Sequence, residues 1–283
     1  MKHSPIVDPI DVALREDIGD GDVTTDFFVS KKNQATARIV ARERAIVAGT
    51  ATAAEVFHRV DRNLQVNVLR TDGSEVDTGD SVIDIEGRAG SILKAERVAL
   101  NFLQRLSGIA TLTRKFVDAA ANEHVKILDT RKTTPGLRAL EKAAVVAGGG
   151  ANHRFGLFDM VMLKDNHLVA SAGFDAFANA VRKFRHTHPG VQIEVEADTL
   201  EQVRSFLEIE GIDVILLDNM KPAEIREAIA LGKGKVQFEA SGGVALKNVR
   251  QIAATGVDFI SIGALTHSPR AIDFSLEITH VDA

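Results

Sequence analysis

Short apolar runs, each followed directly by polar residues or glycines, recur through the last two-thirds of this 283-residue chain. The runs are Val125–Leu128, Met160–Leu163, Ile193–Val195, Val214–Leu217, Val236–Ala240 and Phe259–Ile262. Helical patterns separate them, which is typical of parallel strands joined by right-handed βα connections. In a barrel of such strands the carboxyl ends share one rim, where these folds hold their active sites. The residues after each run therefore predict the chemistry of that rim.

The strand count favours an incomplete barrel. Six runs are fewer than a complete barrel contains, so we predict an α/β chain with an open (incomplete) α/β barrel of parallel strands, and a doubly wound sheet is the alternative. Before Ser107 and Gly108 the pattern changes to alternating segments separated by turn residues, which indicates a smaller sheet covered by helices. We expect an N-terminal α/β sandwich over residues 1–108, which residues 270–283 could complete, and the barrel over residues 109–269.

Helices are predicted from apolar residues at three- and four-residue spacing. In the first domain they cover residues 50–60 and 91–106, and in the second residues 112–122, 136–147, 174–186, 200–209, 222–231 and 245–255. Strands of the first domain are predicted at residues 35–41, 65–69 and 81–85. Arg105 lies on the polar side of the helix over residues 91–106, and spacing alone predicts a solvated face there.

Composition excludes several classes of function. The net charge of −5 argues against nucleic-acid binding, because phosphate backbones need a basic surface. The chain has no cysteine, so disulfides, thiolate nucleophiles and thiolate metal sites are excluded. No apolar signal core and no run of membrane-spanning length is present in the sequence, so we predict a cytoplasmic protein that does not bind membranes.

Basic side chains concentrate between Asp129 and His167, near the ends of the first two predicted barrel strands or in loops. They are Arg131, Lys132, His153, Arg154, Lys164 and His167. Several cations in one pocket repel each other unless an anion is bound, and the arginine fork suits carboxylates and phosphates. Pairing with acidic residues such as Asp129, Glu141, Asp159 and Asp165 is the alternative, which we prefer for Lys142 or His167 alone. For Arg131, Lys132, Arg154 and Lys164 as a set, a substrate with more than one negative group is the better explanation.

Carboxylates close two later strands. Glu196 and Asp218 each follow an apolar run, and acidic side chains at a barrel rim can hold Mg²⁺ together with water and substrate phosphates. Glu194 has the same parity as Glu196, so both point to one side of their strand. For Glu194 we expect an ion pair with the basic set.

Two glycine turns lie near the last strands. Ser241, Gly242 and Gly243 precede a predicted helix, and Gly263 follows the final run. Such turns bind phosphate through backbone N–H groups, although tight βα turns without a ligand use the same residues. The sequence lacks a nucleoside-triphosphate loop, and the run Gly148–Gly150 follows a helix, so it does not fit a dinucleotide site.

Taken in order, these motifs resemble those of the quinolinate phosphoribosyltransferase family over nearly the whole chain. The motifs are Asp129–Gly136, Asn152–Arg154, Lys164–His167, Leu217–Asn219 and Glu239–Gly243, together with Leu14–Asp17, Gly19–Asp20 and Asn101–Gly108. The resemblance implies a glycosyltransferase that converts quinolinate and phosphoribosyl pyrophosphate to nicotinate mononucleotide, pyrophosphate and CO₂ in NAD biosynthesis. It also implies an N-terminal sandwich, an open barrel and a homodimer, which could associate further.

The resemblance assigns roles to individual residues. Quinolinate would meet Thr130, Arg131, His153, Arg154 and Lys164, with Arg105 supplied by the partner subunit. Lys132, Glu196 and Asp218 would be catalytic, Lys132 beside pyrophosphate and the two carboxylates beside the ribose hydroxyls and Mg²⁺. Ser241, Gly242, Gly243 and Gly263 would hold the 5′-phosphate, with His267 nearby.

Other functions remain possible from the residues alone. A paralogue on the same scaffold, such as the molybdenum-transport-associated relatives, would act on another acidic acceptor. A phosphosugar barrel with aldol or isomerase chemistry could use Lys164 as a Schiff-base lysine. A non-catalytic sensor of an anionic metabolite is the alternative from a different class.

Overall fold

The computed structural model describes residues 8–164, 173–232 and 234–282. These residues form two compact units. The first takes in the described residues up to Arg114, residues 133–149 and the described residues from Leu265 onward. The second comprises residues 115–132 and the described part of residues 150–264.

The first unit is built on an antiparallel sheet with the order β12-β1-β5-β3. Its strands are β1 (Gln34–Ala41), β3 (Gln65–Val68), β5 (Ser81–Arg88) and β12 (Phe274–Asp282), and β2 (Ala45–Ile46) pairs with β4 (Glu75–Val76). Its helices are α1 (Pro9–Ile18), α2 (Val23–Phe28), α3 (Thr50–Val60) and α5 (Arg138–Ala147). Alternate residues of β1, including Ala37 and Ile39, are fully buried, because one face of the sheet covers the core.

Helix α3 begins and ends where the sequence predicts. Gly49 at its start is left-handed, and the Asp72 carboxylate accepts hydrogen bonds from the N–H groups of Gly49 (2.9 Å) and Thr50 (3.0 Å). This carboxylate satisfies N–H groups at the helix start that have no partner within the helix. Helices α1 and α2 and the short strands β2 and β4 were not predicted.

The sequence predicts that one helix ends at Leu106 and that the next begins at Leu112, and that prediction is wrong. Helix α4 runs without interruption from Ala89 to Ala120. A Cβ atom on Gly108 would lie 2.2 Å from the carbonyl oxygen of Arg270, so the glycine serves a close backbone approach and does not end the helix. Helix α4 runs through the domain boundary predicted at residue 108, and the two units divide within this helix, after Arg114. The boundary at residue 108 therefore stays a prediction.

The second unit holds a six-stranded parallel sheet. The strands are β6 (Lys126–Leu128), β7 (Val161–Leu163), β8 (Ile193–Ala197), β9 (Val214–Asp218), β10 (Gln237–Ser241) and β11 (Phe259–Ser261). Their order is β6-β11-β10-β9-β8-β7, so the first strand lies beside the last and every other neighbour is consecutive in sequence. This is the order of a barrel left open between its first two strands. The open-barrel prediction is confirmed, and a doubly wound sheet, which has its first strand inside the sheet, is wrong.

Helices connect these strands. They are α6 (Phe174–Thr187), α7 (Leu200–Phe206), α8 (Pro222–Gly232) and α9 (Val249–Ala253), and α10 (Ala264–His267) follows β11. The predicted helix over residues 245–255 is shorter than expected. The Asn248 side chain accepts from the N–H of Ala245 (2.7 Å) and donates to the carbonyl of Gly243 (3.0 Å), which holds this segment as a turn. Among the described residues, none of the helices has the length and apolar character needed to cross a membrane.

Candidate active site

The carboxyl ends of all six barrel strands border one cavity of about 310 Å³ in the second unit. Its lining residues are Thr130, Arg131, Lys132, His153, Arg154, Met162, Lys164, Glu196, Leu216, Asp218, Glu239, Ser241 and Ser261. Nine of these carry a role assigned from the sequence: Thr130, Arg131, Lys132, His153, Arg154, Lys164, Glu196, Asp218 and Ser241. The cations and carboxylates predicted at successive strand ends therefore share one space.

The opposite end of the barrel is less suited to a reaction. A depression of about 540 Å³ lies there, lined by the charged residues Arg185, Asp213 and Lys235, of which Arg185 and Asp213 form an ion pair. Arg185 also donates a hydrogen bond of 2.8 Å to the carbonyl of Gly211. The charges of Arg185 and Asp213 are thus used within the protein, as expected at the end of a barrel that contributes to stability.

Two chain segments carry Arg131, Lys132 and Arg154, and a buried carboxylate joins these segments. Asp129, which is fully buried directly after β6, accepts the N–H of His153 at 2.9 Å and donates its own N–H to the carbonyl of Ala151 at 3.2 Å. These bonds fix the segment before Arg131 and Lys132 against the segment that ends in Arg154. The local fold thus brings residues more than twenty positions apart into the same wall.

Two arginines in this wall repel each other. Burial lowers the pKa of Arg154, and the neighbouring charge of Arg131 lowers it further. The guanidinium of Arg154 donates to the sulfur of Met162 at 3.3 Å. A bound carboxylate would relieve the repulsion and accept charge-assisted hydrogen bonds.

Carboxylates and Lys164 form another wall. One oxygen from each of Glu196, Asp198 and Asp218 lies within 4.8 Å of the others, and Nζ of Lys164 is 2.8 Å from Glu196. Burial raises the pKa of Asp218, and the charge of Glu196 raises it further. This crowding of negative charge, together with an all-oxygen donor set, fits Mg²⁺. Asp198 was not predicted, since it follows its strand by one residue and carries no distinguishing pattern.

The turn after β10 has no room for side chains at its first glycine. Gly242 (φ +87°) and Gly243 (φ +60°) are both left-handed. A Cβ atom on Gly242 would lie 2.2 Å from Oδ1 of Asn219, and Nδ2 of the same side chain donates to the carboxylate of Asp218 (2.9 Å). The hydroxyl of Ser261 donates to that of Ser241 at 3.0 Å. The turn is therefore packed against the carboxylate wall.

A histidine and two glutamates form a buried cluster at the cavity. Glu194 and Glu239 are 1 % and 2 % exposed, and Nε2 of His153 lies 3.0 Å from Glu194 and 3.5 Å from Glu239. The ion pair expected for Glu194 is thus present. Glu239 had no role in the prediction, although a charged residue between the apolar residues Phe238 and Ala240 of a strand is a signal that could have found it.

The groups of this cluster shift each other's pKa values. Burial by itself lowers the pKa of His153, but hydrogen bonds to Glu194 and Glu239 raise it to about 10. Burial raises the pKa of Glu194 to about 7, with the charge of Glu239 reinforcing and His153 opposing the shift. The backbone N–H of Arg154 donates to Nδ1 of the same imidazole at 2.7 Å. Nε2 is the ring nitrogen that faces the two carboxylates, so their negative charge favours a proton on Nε2.

The remaining predicted residues lie elsewhere. Arg105 and His267 belong to the first unit. The Arg105 guanidinium donates to Glu141 (2.8 Å) and to the carbonyl of Thr266 (2.7 Å), so it is not part of a freely solvated face. Nδ1 of His267 is 2.6 Å from the hydroxyl of Ser268. Gly263 is half-buried after β11, whereas Asp165 and His167 lie outside the described residues.

Comparison with known families defines the class of protein. The model of the quinolinate phosphoribosyl transferase C-terminal domain matches residues 109–277, and that of the N-terminal domain matches residues 22–107. The chain therefore belongs to the quinolinate phosphoribosyltransferase family.

Individual relatives agree with this class. A probable nicotinate-nucleotide pyrophosphorylase (carboxylating) of Bacillus subtilis is 42% identical over 99% of this chain and 95% of its own length. A quinolinate phosphoribosyltransferase (decarboxylating) of Nicotiana tabacum is 44% identical over 95% of this chain and 81% of its own length. The solved nicotinate-nucleotide pyrophosphorylase of Francisella tularensis has a TM-score of 0.89 at 38% identity and covers 97% of this chain and 96% of its own. NadC from Streptococcus pyogenes has a TM-score of 0.91 at 37% identity, and the match covers 100% of this chain and 99% of the NadC chain.

Proposed function

We propose that this chain catalyses decarboxylating phosphoribosyl transfer from phosphoribosyl pyrophosphate to quinolinate, giving nicotinate mononucleotide, pyrophosphate and CO₂ in NAD biosynthesis. The observation that carries the proposal is that one cavity joins a wall of cations to a wall of carboxylates. A dicarboxylate acceptor fits the first wall, and a Mg²⁺-bound sugar pyrophosphate fits the second. The relatives described above are named for this reaction.

The acceptor would lie against Arg131 and Arg154 of the cation wall and against Lys164, which borders the carboxylate wall. Two guanidinium groups and an ammonium group match an acceptor that carries two carboxylates, since each can donate charge-assisted hydrogen bonds. Thr130 and His153 line the same wall. An acceptor with a single carboxylate would make fewer charge-assisted hydrogen bonds with these cations, which predicts discrimination against nicotinate.

The donor would lie against Lys132, Glu196 and Asp218. The pyridine nitrogen forms a bond to the anomeric carbon while the bond to pyrophosphate breaks, and the pyrophosphate keeps the electron pair. Lys132 would stabilise the negative charge that develops on the leaving group. Bound Mg²⁺ would neutralise part of the same charge. Glu196 and Asp218 would orient the ribose hydroxyls and hold the metal, partly through water.

The second step needs little from the protein beyond positioning. The pyridinium ring accepts the electron pair left when the bond to the adjacent carboxylate breaks, and that carbon then takes up one proton. A side-chain nucleophile is not required, which suits a chain without cysteine. Ser241, Gly242, Gly243 and Gly263 would hold the 5′-phosphate of the sugar, with His267 nearby.

A homodimer in which Arg105 reaches the partner's site is part of the proposal. Supporting it, helix α2 presents an unusually apolar surface, with Val23, Phe27 and Phe28 each at least 77% exposed. Contiguous apolar surface of this kind marks interaction sites. Association beyond the dimer and a cytoplasmic location stay predictions.

The test measures CO₂ and pyrophosphate release from quinolinate, phosphoribosyl pyrophosphate and Mg²⁺, with nicotinate replacing quinolinate in a parallel reaction. Release that depends on quinolinate and is absent with nicotinate would support the reaction and the need for the second carboxylate. Omitting Mg²⁺ in the presence of a chelator tests the metal. If folded protein released neither CO₂ nor pyrophosphate in any of these reactions, the proposal would be refuted, and another acidic acceptor on the same scaffold would be favoured.

A further inference from the structure

Two carboxylates lie inside the barrel where a hydrophobic core would be expected. Glu194 on β8 and Glu239 on β10 are almost completely buried, and both approach the imidazole of His153. Strand β9 lies between β8 and β10, so His153 bridges two strands that do not pair with each other. Buried carboxylates of this kind are retained only where a partner group engages them.

Both ring nitrogens of His153 are engaged within the protein. Nε2 faces the carboxylates of Glu194 and Glu239, and Nδ1 accepts the backbone N–H of Arg154 at 2.7 Å. The backbone N–H of His153 itself donates to Asp129 at 2.9 Å. The ring therefore connects the barrel interior to the backbone of Arg154, and a donor aimed at substrate is not left on it.

This arrangement controls where the Arg154 guanidinium lies. Arg154 is pushed by the like charge of Arg131 and attracted by the negative charge of Glu194. Its backbone is held by His153, while its guanidinium contacts Met162. Loss of either glutamate would free the imidazole and, with it, the turn that aims Arg154 into the cavity.

We propose that Glu194 and Glu239 are positioning residues, which act through His153 to hold Arg154 against the carboxylates of the acceptor, and that His153 supports Arg154 without itself binding the acceptor. The inference rests on the proposed function for its acceptor-binding part. It assigns a positioning role to Glu194 and Glu239, and it makes His153 a support for Arg154 and not a ligand of the substrate.

A double-mutant cycle separates support from direct binding. Glu194→Gln and Glu239→Gln keep the side-chain volume and remove the charge. His153→Gln keeps a donor near the position of Nε2, and His153→Asn keeps an acceptor near that of Nδ1, so each retains one end of the connection. We expect each of these variants to raise KM for quinolinate about tenfold or more, because a displaced Arg154 guanidinium would meet the acceptor with poor geometry. KM for phosphoribosyl pyrophosphate should stay within about twofold of the wild-type value.

The same substitutions in an Arg154→Lys background decide the question. If His153 acts through Arg154, they should then add less than about a further twofold to KM for quinolinate. An added increase as large as in the wild-type background would overturn the inference, since it would mean that His153 contacts the acceptor itself. Glu208→Gln, an exposed glutamate on the same unit, is the matched control and should behave as wild type.

A measurement that does not depend on catalysis distinguishes a failure of this inference from a failure of the proposed function. The backbone amide resonance of Arg154 should shift in Glu239→Gln and not in Glu208→Gln, because its N–H is bonded to His153. An unchanged resonance would overturn the support role. Absence of turnover of quinolinate by the wild-type protein would instead refute the proposed function and the acceptor-binding part, while the resonance would still decide whether Glu239 holds Arg154.

Discussion

Substitution of the two glycines after β10 tests whether this turn is shaped by its contact with the carboxylate wall. Gly242 and Gly243 are adjacent and both left-handed, so alanine at either position is strained. Their surroundings differ. A Cβ atom on Gly242 would meet Asn219 at 2.2 Å (Oδ1) and 2.5 Å (Cγ), whereas one on Gly243 would meet no atom of the described residues within 4 Å.

The expected magnitudes follow from this difference. The left-handed backbone costs an alanine about 1–2 kcal/mol at either position. Part of this, about 0.4–1 kcal/mol, is offset because alanine restricts the unfolded chain. Crowding adds about 1–3 kcal/mol at Gly242 alone. Gly242→Ala should therefore lower the free energy of unfolding by about 1–3 kcal/mol more than Gly243→Ala does.

Activity should separate the variants in the same direction. Asn219 contacts the carboxylate of Asp218 at 2.9 Å, so a side chain that displaces Asn219 disturbs a proposed metal and ribose ligand. We expect Gly242→Ala to raise KM for phosphoribosyl pyrophosphate at least about tenfold more than Gly243→Ala.

Denaturant unfolding and steady-state kinetics on both variants provide the measurements. Equal losses of stability and of donor affinity in the two variants would refute the reasoning, because only backbone conformation would then matter. A larger loss at Gly243 would contradict it as well.

Three other perturbations have defined outcomes. Lys132→Ala should leave the free energy of unfolding nearly unchanged and reduce kcat about a hundredfold or more, because a cation beside the leaving pyrophosphate is lost. Burial raises the pKa of Asp61, but hydrogen bonds from Asn63, Arg88 and Ser91 outweigh that effect and hold the pKa at about 2, below its ordinary value of 3.8. Asp61→Asn should therefore lower the free energy of unfolding by about 2 kcal/mol at neutral pH. That contribution is present above the ordinary pKa and disappears as the pH falls through about 2, so the variant and the wild type should converge in acid. Phe27→Ser combined with Phe28→Ser should weaken self-association, measured by sedimentation, because exposed apolar area is removed.

Controls for these three are available in the chain. Lys126→Ala changes an exposed lysine at the opposite end of β6 and should retain activity. Asp77→Asn changes an exposed carboxylate of the first unit and should show no comparable loss at neutral pH. Leu246→Ser removes an exposed apolar residue outside helix α2 and should leave sedimentation unchanged. A Lys132→Ala enzyme with normal turnover, an Asp61→Asn loss that persists at pH 2, or an unaltered sedimentation profile of the phenylalanine variant would each contradict the corresponding argument.

The barrel could be predicted because each of its strands is an apolar run with a polar end. Lys164, Glu196 and Asp218 were found from that pattern alone, since parallel strands bring successive carboxyl ends to one rim. Glycine was a poorer guide. A helix was predicted to end before Gly108, yet Gly108 lies within α4, where the backbone of Arg270 passes close to it, and a sequence does not reveal a contact made across the fold.

The buried cluster was predicted only in part for the same reason. Glu194 could be assigned an ion pair from strand parity, but the identity of its partner depends on how β8 and β10 face the turn that carries His153. Glu239 approaches the same histidine, His153, although the two residues are far apart in sequence. Local patterns predict which residues reach the rim, whereas long-range packing decides how their charges are paired.

The pairing of β1 with β12 has a consequence for the order in which the protein folds during synthesis. Arg42 and Glu277, which form an ion pair beside these strands, are 235 residues apart, so the sheet of the first unit cannot be completed until almost the whole described chain has left the ribosome. All six barrel strands are made before then. Until β12 arrives, β1 has an open edge with unpaired backbone groups, the kind of edge that recruits other chains. The nascent protein is therefore expected to be most prone to aggregation just before its synthesis ends, when the barrel can already be formed.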